Sequence, residues 1–460
     1  MIFKKTCDVA IVGGGVSGLA AAAALADQKL DVLVLDENPR VGGRVFRTMP
    51  WPGNASRIQK IFPGRPRLLD KTATSSVTVL NHTQVMGIDK DLEILAEKDR
   101  KEIISIRPRM VLAATGARET FVPFPGWTLP GVMAAGGAQT LMKGTGVLPG
   151  QHMVLAGMGP FLSAVAGLYL KKRGRPAAIL DFAKPADTCR LLVHGFRQGT
   201  KILEGARNLA GILLAGVPCR HRTMVVAAQG SRELEKVVAA RVDSLGRIME
   251  GTRITYKTEC LATGWGFVPN LELPMQAGCG LIHDPDLGGW VVAVTHDCET
   301  SIPGIFAAGE ITGIAGASMS MIEGELAALG ILKKLGRNVD AHRMAVLQRQ
   351  RKQSLSFSTW FNRLHRVPDA VFSAIPDTVT ICRCEHITMG EIKTAVEKGY
   401  DTPAMLKKAL RCGMGLCQGR TCGPIVNRIL AALTRRSAGA FPFLPVRTPV
   451  KPISVRSFLQ

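Results

Sequence analysis

Residues 6–18 read T-C-D-V-A-I-V-G-G-G-V-S-G, a short apolar run followed at once by three consecutive glycines. An Ala- and Leu-rich segment, residues 19–30, comes next, and a second apolar run, residues 31–35, ends at Asp36. The order of strand, glycine loop, helix, strand and acid is typical of the first βαβ unit of a dinucleotide-binding fold. The pattern therefore predicts a nucleotide site near the start of the chain.

The three glycines of this G-x-G-x-x-G pattern have separate roles. Gly13 permits the tight turn, Gly15 lets the backbone approach a pyrophosphate, and Gly18 lets helix and strand pack closely. The helix N-terminus presents free N–H groups to the pyrophosphate, and an acid about 20 residues on accepts hydrogen bonds from a ribose. The predicted nucleotide contacts in this part of the chain are Gly13, Gly15, Val16, Ser17, Gly18, Asp36 and Glu37.

Residues 40–44 read R-V-G-G-R. This segment resembles the R-x-G-G-R segment that follows the second strand in FAD-binding flavoproteins with two dinucleotide-binding domains. Arg47 stands where those flavoproteins usually have Ser or Thr, so the sequence departs from the pattern at that position. The resemblance favours FAD over NAD at the first site and adds Arg40, Gly43 and Arg44 to the predicted contacts.

Two later segments resemble the parts of such flavoproteins that complete the FAD site. Residues 110–116 form an apolar run that ends in A-T-G, and residues 305–310 read I-F-A-A-G-E. The latter is similar to the A-x-G-D segment whose acid faces the flavin ribityl chain. We expect short antiparallel strands at 77–80, 92–95 and 103–106 between these motifs. The resemblance implies further cofactor contacts at Thr115, Gly116, Gly309 and Glu310.

A second strand–loop–helix unit opens at residues 153–162, M-V-L-A-G-M-G-P-F-L, and a further apolar run, residues 177–180, ends at Asp181. The fold is therefore predicted to repeat. Leu162 replaces the third glycine, which normally allows close packing of helix and strand. We expect Leu162 to disfavour NAD(P)H at this second site, which leaves an adenine nucleotide or no ligand there.

Five of the eleven cysteines lie between residues 382 and 422. Cys382 and Cys384 form a C-x-C pair, and Cys412, Cys417 and Cys422 follow at C-x-x-x-x-C spacing. Four thiolates from two loops can hold a [2Fe–2S] cluster, whereas zinc knuckles favour C-x-x-C turns. The spacing therefore favours a [2Fe–2S] cluster. It leaves open whether Cys412 and Cys417 or Cys417 and Cys422 supply the second pair of ligands.

The composition limits the classes of function. Lys and Arg outnumber Asp and Glu by 58 to 36, a net charge of +22, but aromatic residues make up only 5%. The basic residues are scattered, so the concentrated basic face and stacking side chains of a nucleic-acid-binding protein are not predicted. A basic face that docks an acidic partner protein fits better. No apolar run reaches the roughly 18 residues of a membrane-spanning helix, and we interpret the chain as cytoplasmic.

C-R-C-E at residues 382–385 and G-M-G-L-C-Q-G-R-T-C at 413–422 resemble the bacterioferritin-associated-ferredoxin-like (BFD-like) [2Fe–2S] domain. One flavoprotein family carries this domain at its C-terminus. It comprises the FAD subunits of opine oxidases, of D-hydroxyproline and L-proline dehydrogenases, and the middle-sized subunit of hydrogen cyanide synthase. The resemblance continues through F-P-G-W-T-L-P-G-V-M at 124–133, G-F-V-P-N at 266–270 and G-G-W-V at 288–291. It implies that the cluster ligands are Cys382, Cys384, Cys417 and Cys422, with Cys412 as the spare thiol.

In such complexes a separate FAD subunit oxidises the amine, and electrons pass through a flavin at the interface to the iron–sulfur centre. The resemblance thus implies an electron-transfer subunit that holds FAD and a [2Fe–2S] cluster and binds an amine-oxidase-like FAD partner. It leaves room for an FMN at the subunit interface and for a small ferredoxin-like subunit. No catalytic acid–base residue stands out in the sequence. The alternatives are a self-contained NAD(P)H-dependent reductase and a non-catalytic scaffold with a structural nucleotide.

The predicted fold class is α/β, with two Rossmann-like dinucleotide-binding domains and a small helical [2Fe–2S] domain. A helix is expected at residues 342–352, within a basic linker. The predicted boundaries are 1–118 for the first part of the FAD-binding domain, 119–285 for the second nucleotide-binding domain, 286–340 for the return segment, 341–376 for the linker, 377–432 for the BFD-like domain and 433–460 for a Pro-rich tail.

Overall fold

The computed structural model describes residues 3–47, 76–186 and 199–458. The chain forms two compact units. The first unit comprises residues up to 118, residues 268–362 and residues from 445 onward, and the second unit comprises residues 119–267 and 363–444. Two short strands, Ala117–Glu119 and Phe267–Pro269, pair with each other.

A seven-stranded sheet forms the centre of the first unit. Two antiparallel strands, Ile94–Lys98 and Thr83–Ile88, extend one edge of this sheet. Parallel strands are buried on both faces and are therefore apolar throughout, as in Val32–Leu35, where all four residues are buried. The remaining strands pair in parallel in the order Val77–Leu80, Val32–Leu35, Phe3–Val12, Glu102–Ala113 and Ile305–Ala307.

The sequence-based strand expectations for this region need correction. Val77–Leu80 pairs in parallel with Val32–Leu35, so the expectation of an antiparallel strand there is wrong. Glu102–Ala113 is one strand of 12 residues, where the sequence suggested two separate runs. A short apolar run is compatible with several strand environments, so its pairing direction depends on the neighbour that the fold supplies.

The main helices of the first unit are Val16–Leu25, Ala317–Lys334 and Ala341–Leu364, with a short helix at Glu272–Gln276. The first two pack closely, because a Cβ built on Gly324 would lie 2.2 Å from the backbone oxygen of Ser17. Ala341–Leu364 extends well beyond the expected end at residue 352. A hairpin of Leu281–Asp284 and Gly289–Val292, with a 3₁₀ turn at Pro285–Leu287, completes the return segment.

The end of the chain belongs to the first unit. Val450 and Ser457 are buried, and the Ser454 N–H and the Ser457 hydroxyl both donate to Oε1 of the buried Glu97, at 2.7 and 2.6 Å. The last described element is the 3₁₀ turn Val455–Phe458. Within the described part of the chain, no helix is both long enough and apolar enough to span a membrane.

The second unit repeats the nucleotide-binding topology. Its main sheet is parallel, in the order Cys219–His221, Arg175–Asp181, His152–Gly157, Cys260–Gly264 and Val132–Ala134. The helices of this part are Ala135–Gly144, Phe161–Lys171 and Gly199–Leu214. A three-stranded antiparallel sheet is formed by Thr223–Gln229, Lys236–Arg241 and Ile254–Lys257.

The cysteine-rich region is small and mostly helical. Two short strands, Thr380–Cys382 and Ile387–Thr388, pair antiparallel. Thr388 and Glu391 form a capping box at the start of the helix Met389–Glu397, which satisfies two backbone donors at once. The helices are Asp369–Ser373, Met389–Glu397, Pro403–Leu410 and Cys422–Thr434, and a 3₁₀ turn follows at Ala438–Ala440.

This helical region shares one hydrophobic core with the second sheet. Buried Val154 of the sheet, Trp127 of the F-P-G-W segment, and Ile381 and Ile425 of the cysteine-rich region all belong to the same packed cluster. Closely packed interiors hold side chains in defined positions. The cysteines are therefore held in a fixed position relative to the second nucleotide-binding sheet. The predicted α/β fold with two Rossmann-like domains and a helical third part is confirmed.

Candidate functional site

Three predicted nucleotide-binding segments meet at one edge of the first sheet. The Gly13 N–H donates to the Leu35 carbonyl at 2.9 Å, and the Ala114 N–H donates to the Val12 carbonyl at 2.8 Å. The Ala308 N–H donates in turn to the Ala113 carbonyl at 3.0 Å. The carboxyl ends of parallel strands form the usual ligand crevice of such sheets. The fold thus brings together the glycine loop, the A-T-G segment and the G-E segment.

The three glycines differ in what surrounds them. Gly13 has a φ of +109°, and a Cβ there would lie 2.3 Å from the backbone oxygen of Ala114. A Cβ on Gly18 would lie 1.9 Å from the backbone oxygen of Gly13. Gly15, at the N-terminus of the helix Val16–Leu25, has no atom within 4 Å of its Cβ position. Gly13 and Gly18 are needed for packing, whereas Gly15 leaves open space where a pyrophosphate would bind.

Asp36 ties the glycine loop to the end of the second strand. It is 4% exposed, and its Oδ2 accepts from the Gly14 N–H at 2.8 Å. Its Oδ1 accepts from both the backbone and the side-chain amide of Asn38, each at 2.8 Å. Arg47, the residue that departs from the family pattern, donates to Oδ1 of Asn38. Arg47 therefore supports the Asp36 carboxylate through Asn38, while the neighbouring Glu37 is exposed and pairs with Lys451.

The R-V-G-G-R segment lies against the glycine loop. The Gly42 N–H donates to the Gly14 carbonyl at 2.7 Å. Gly43 has a φ of +56°, and a Cβ there would lie 3.0 Å from the Cα of Gly15. Arg40 and Arg44 are both exposed. The glycines therefore bring the segment close to the loop.

Asn270 of the G-F-V-P-N motif holds the A-T-G segment. Its side-chain amide donates to the Thr115 carbonyl at 2.9 Å, and its backbone carbonyl accepts from the Thr115 hydroxyl at 2.7 Å. Its N–H donates to the Gly116 carbonyl, also at 2.9 Å. Arg118 donates to Oδ1 of Asn270 at 2.8 Å and pairs with Glu272 at 2.7 Å. Sequence reasoning identified this motif but assigned Asn270 no role.

Gly309 and Glu310 reach the same edge of the sheet from the return segment. Gly309 has a φ of +87°, and a Cβ there would lie 2.6 Å from Oγ of Ser17 on the first helix. Oε1 of Glu310 accepts from the Gly316 N–H at 2.6 Å. The close approach of Gly309 to Ser17 places two predicted contact residues side by side.

Glu323 is a residue of this site that sequence reasoning missed. It is fully buried, and its Oε2 accepts from the Gly309 N–H at 2.8 Å and the Thr312 hydroxyl at 2.5 Å. Its Oε1 accepts from Nε of Arg351 at 2.7 Å. Buried acids are rare unless paired. The only signal in the sequence was a pair of acids, Glu323 and Glu325, within an otherwise largely apolar helix, and nothing local marks which of the two is buried.

The surroundings of the second glycine loop differ from those of the first. Gly157 has a φ of +143°, and a Cβ there would lie 1.9 Å from the Gly264 backbone oxygen. Leu162 is buried, with its Cδ2 3.4 Å from the Cβ position of Gly264, so the helix accommodates it. Leu162 therefore fits between helix and strand because the neighbouring strand residue, Gly264, has no side chain.

The position equivalent to Gly15 in this second loop is Gly159, and the space beside it is filled. Cδ2 of His365 lies 3.0 Å from the Cβ position of Gly159, and the Nε2 of the same ring lies at 3.5 Å. The Gly159 N–H points to Oδ1 of Asp181 at 3.4 Å. An imidazole ring thus occupies the approach that a pyrophosphate uses in dinucleotide sites.

All five clustered cysteines converge in the second unit. Cys382, Cys412 and Cys422 are buried, and their three Sγ atoms lie within 4.8 Å of one another. Cys417 is half-buried and makes sulfur contacts with both Cys384 and Cys422. Cys384 is exposed. The structure therefore brings together the four predicted ligands and places Cys412 among them.

The thiols hydrogen-bond to one another, and this shifts their pKa values. The pKa of Cys382 is lowered, first because the Cys412 thiol donates to its sulfur and next because the Cys422 thiol does. The pKa of Cys417 is lowered to about 4, with donation from Cys422 as the main cause. The pKa of Cys412 is raised to about 12, mainly by its bond to Cys382. Thiolates are the form that binds metals, and the group stabilises thiolate character at Cys382 and Cys417.

Local contacts explain why the cysteines converge. A Cβ on Gly415 would lie 2.1 Å from the Cβ of Cys384, so a glycine is needed where the second loop passes the first. Nε1 of Trp127 donates to the Thr380 carbonyl at 2.7 Å, and the Arg383 guanidinium lies 5.4 Å from the centre of the Trp127 ring. Trp127 thus contacts the chain before and after Cys382, at Thr380 and at Arg383, and so helps to hold the segment 380–384, called the C-R-C strand below. Sequence reasoning noted the F-P-G-W motif without giving Trp127 a role.

The side chains of both sites fit the implied cofactors. Open space at Gly15, beside a helix N-terminus and near two exposed arginines, fits a dinucleotide pyrophosphate. Five soft sulfur donors in one place, two of them with lowered pKa values, fit an iron–sulfur cluster better than a hard cation. The fold and the two sites define an oxidoreductase of the flavoprotein class whose cofactors are FAD and a [2Fe–2S] cluster.

Comparison with known proteins supports this class. Residues 11–62 match the NAD(P)-binding Rossmann-like domain, and residues 380–432 match the BFD-like [2Fe–2S] binding domain. The A subunit of opine oxidase from Rhizobium meliloti is 30% identical, with 97% of each chain covered. Hydrogen cyanide synthase subunit HcnB of Pseudomonas aeruginosa is 34% identical, also with 97% of each chain covered. The chain belongs to the family that contains these two subunits.

A solved structure supports the fold. L-proline dehydrogenase from P. horikoshii superposes with a TM-score of 0.71 at 20% sequence identity. The match covers 98% of this chain and 79% of the other. Both curated relatives are named as subunits, so each of them is a component of a multi-subunit enzyme.

Proposed function

We propose that this chain is the flavin and iron–sulfur electron-transfer subunit of a multi-subunit amine or amino-acid dehydrogenase of the opine, hydroxyproline, proline or glycine type. A partner flavoprotein oxidises the amine, and this chain passes the electrons to an acceptor. Segments 1–118 and 286–340 hold FAD, and residues 377–432 hold the cluster through Cys382, Cys384, Cys417 and Cys422. The cytoplasm is the proposed location.

One observation carries the proposal. A single chain combines an open nucleotide cradle at Gly15 with five convergent cysteines, of which Cys382, Cys412 and Cys422 belong to the core of the second unit. A flavin accepts electrons in pairs, and a [2Fe–2S] cluster passes them on singly. The residues of this chain position the groups: Asp36, Asn270 and Glu323 hold the loops of the first site, and Trp127 holds the C-R-C strand.

The net charge supports an obligate partner. A chain with a charge of +22 is attracted to an acidic surface. Both curated relatives are named as subunits of larger enzymes. The proposed partner is therefore an amine-oxidase-like flavoprotein that carries its own FAD. An FMN bound between the two proteins and a small ferredoxin-like protein complete the proposed complex.

The contact between His365 and Gly159 argues against the NAD(P)H-dependent reductase. Hydride transfer from NAD(P)H requires the pyrophosphate to approach the second glycine loop, and the ring of His365 occupies that approach. A non-catalytic scaffold would not need a site for an iron–sulfur cluster, so the convergence of five thiols argues against the scaffold alternative. Two experiments decide between the proposal and these alternatives.

The first experiment compares the chain alone with the chain co-expressed with the flavoprotein encoded beside it. Dye reduction is measured with proline, hydroxyproline, glycine, opines and NAD(P)H. We expect the chain alone to use none of these donors and the complex to oxidise one of the amines. Rapid dye reduction by the isolated chain with NADH would support the reductase instead.

A pair of variants tests the role of the cluster within the complex. Cys384→Ser removes a proposed ligand, and Cys219→Ser removes another exposed cysteine of the same unit that lies outside the cluster. We expect Cys384→Ser to lose iron and amine-dependent dye reduction, while Cys219→Ser keeps both. Full activity without iron in Cys384→Ser would support the scaffold.

A further inference from the structure

The site contains one more thiol than a [2Fe–2S] cluster binds. Four cysteines suffice for such a cluster, yet the fifth, Cys412, is only 3% exposed and faces the proposed ligands. Its Sγ lies within 4.8 Å of those of both Cys382 and Cys422. The spare thiol is therefore part of the cluster site and does not lie elsewhere on the surface.

The spacing of these three sulfurs permits exchange. Two thiolates on one tetrahedral metal at about 2.3 Å lie roughly 3.8 Å apart. The three Sγ atoms are close to this separation, so any two of them can bind one iron after a movement of about 1 Å or less. Cys384 and Cys417 form a second sulfur contact next to this group.

Cys412 and Cys422 differ in the backbone that carries them. Cys412 follows the left-handed Arg411 at the end of the helix Pro403–Leu410, and Gly413 comes directly after it with a φ of +87°. Cys412 thus lies in a loop flanked by residues outside helical geometry. Cys422, by contrast, is the first residue of the helix Cys422–Thr434.

We propose that Cys412 is a reserve ligand for the iron held by Cys382 and Cys422. The inference rests on the proposed iron–sulfur site. In the exchange, the bond from iron to Cys422 Sγ breaks and a bond from iron to Cys412 Sγ forms. The proton of Cys412 passes to the departing Cys422 sulfur, so the charge of the cluster and its oxidation state do not change. Cys417 has no equivalent reserve, because the group within 4.8 Å is Cys382, Cys412 and Cys422 among the described residues.

The test uses four variants of the full chain: Cys412→Ser, Cys422→Ser, Cys417→Ser and the double variant of Cys412 and Cys422. Iron and acid-labile sulfide per chain are measured, together with the EPR spectrum of the reduced cluster. We expect Cys412→Ser to keep its cluster, and Cys422→Ser to keep most of its iron with a changed EPR spectrum. The double variant and Cys417→Ser should both lose the cluster and its iron.

Three results would overturn the proposal. Cys422→Ser could contain as little iron as the double variant. Cys412→Ser could lose its iron, or Cys417→Ser could keep its iron. If Cys422→Ser fails to fold, as judged by circular dichroism, Cys382→Ser replaces it with the same expectation. Wild-type protein that contains zinc and no sulfide would instead contradict the iron–sulfur site itself, so the two failures are distinguishable.

Discussion

Nε1 of Trp127 donates a hydrogen bond of 2.7 Å to the backbone carbonyl of Thr380, which lies 253 positions later in the chain. Thr380 begins the short strand that ends at Cys382. Trp127 is 4% exposed, and the guanidinium of Arg383 lies against its ring. The bond fixes the C-R-C strand to the core of the second nucleotide-binding sheet, so cluster binding and the packing of that sheet are coupled.

The first prediction tests this bond with Trp127→Phe. The substitution leaves the Thr380 carbonyl without this donor, and because Thr380 is half-buried the cost is at most about 1–3 kcal/mol, the value for a fully buried group. We expect a lower unfolding temperature and faster loss of iron to a chelator. Trp265→Phe is the matched control, because Trp265 is equally buried in the same core and its Nε1 has no hydrogen-bond partner among the described residues. Equal iron loss in both variants would contradict the coupling.

The second prediction concerns Gly15→Val. The position has a φ of −77° and nothing within 4 Å of its Cβ, so the protein itself tolerates a side chain there. The valine would instead fill the space for the pyrophosphate. We expect the purified variant to lack a flavin spectrum while its secondary structure is unchanged. Gly211→Ala, at an equally open helical position of the other unit, should keep its flavin. Normal flavin content in Gly15→Val would remove Gly15 from the site.

The third prediction concerns the buried pair of Glu323 and Arg351. Glu323→Gln leaves the largely buried Arg351 without its anionic partner, and breaking a buried pair typically costs about 3–5 kcal/mol. It also weakens the hold on Gly309. We expect lower stability in urea and weaker flavin retention.

The control for this prediction uses the same two helices. Glu325 pairs with Arg343 through two bonds of 2.6 Å at the surface. An exposed pair contributes only about 0–1 kcal/mol, so Glu325→Gln should change neither stability nor flavin content noticeably. Similar losses in the two variants would show that Glu323 does not position the return loop.

The fourth prediction concerns His365→Ala. Removing the ring opens the space beside Gly159 to a pyrophosphate. We expect the flavin-replete variant to bind ADP at least about tenfold more tightly than the wild type, a difference of about 1.4 kcal/mol. Calorimetric titration measures this, with His152→Ala, an exposed histidine of the same unit, as the control. Tight ADP binding by the wild type would show that the His365 ring does not block nucleotide binding at the second glycine loop.

The sequence alone was enough to predict the fold class, because its strongest signals are local. The glycine loop at residues 13–18 predicts a strand–turn–helix unit through sterics between near neighbours, as the close contact between Gly18 and Gly13 illustrates. The spacing of Cys382 and Cys384, and of the cysteines that follow, likewise indicates the type of cofactor from the chemistry of the side chains. Both patterns can be recognised without knowing which residues far apart in the chain come into contact.

The tertiary structure decided what depends on residues far apart in the chain. The sequence contains no indication that His365 lies against Gly159, that Arg351 reaches Glu323, or that Trp127 binds Thr380. The parallel direction of Val77–Leu80 was missed for the same reason, since a short apolar run fits more than one partner. The position of Cys412 beside Cys382 and Cys422 also depends on how two loops pack. Local sterics and side-chain chemistry act within a few residues, whereas long-range contacts form only when a whole core packs in a single arrangement.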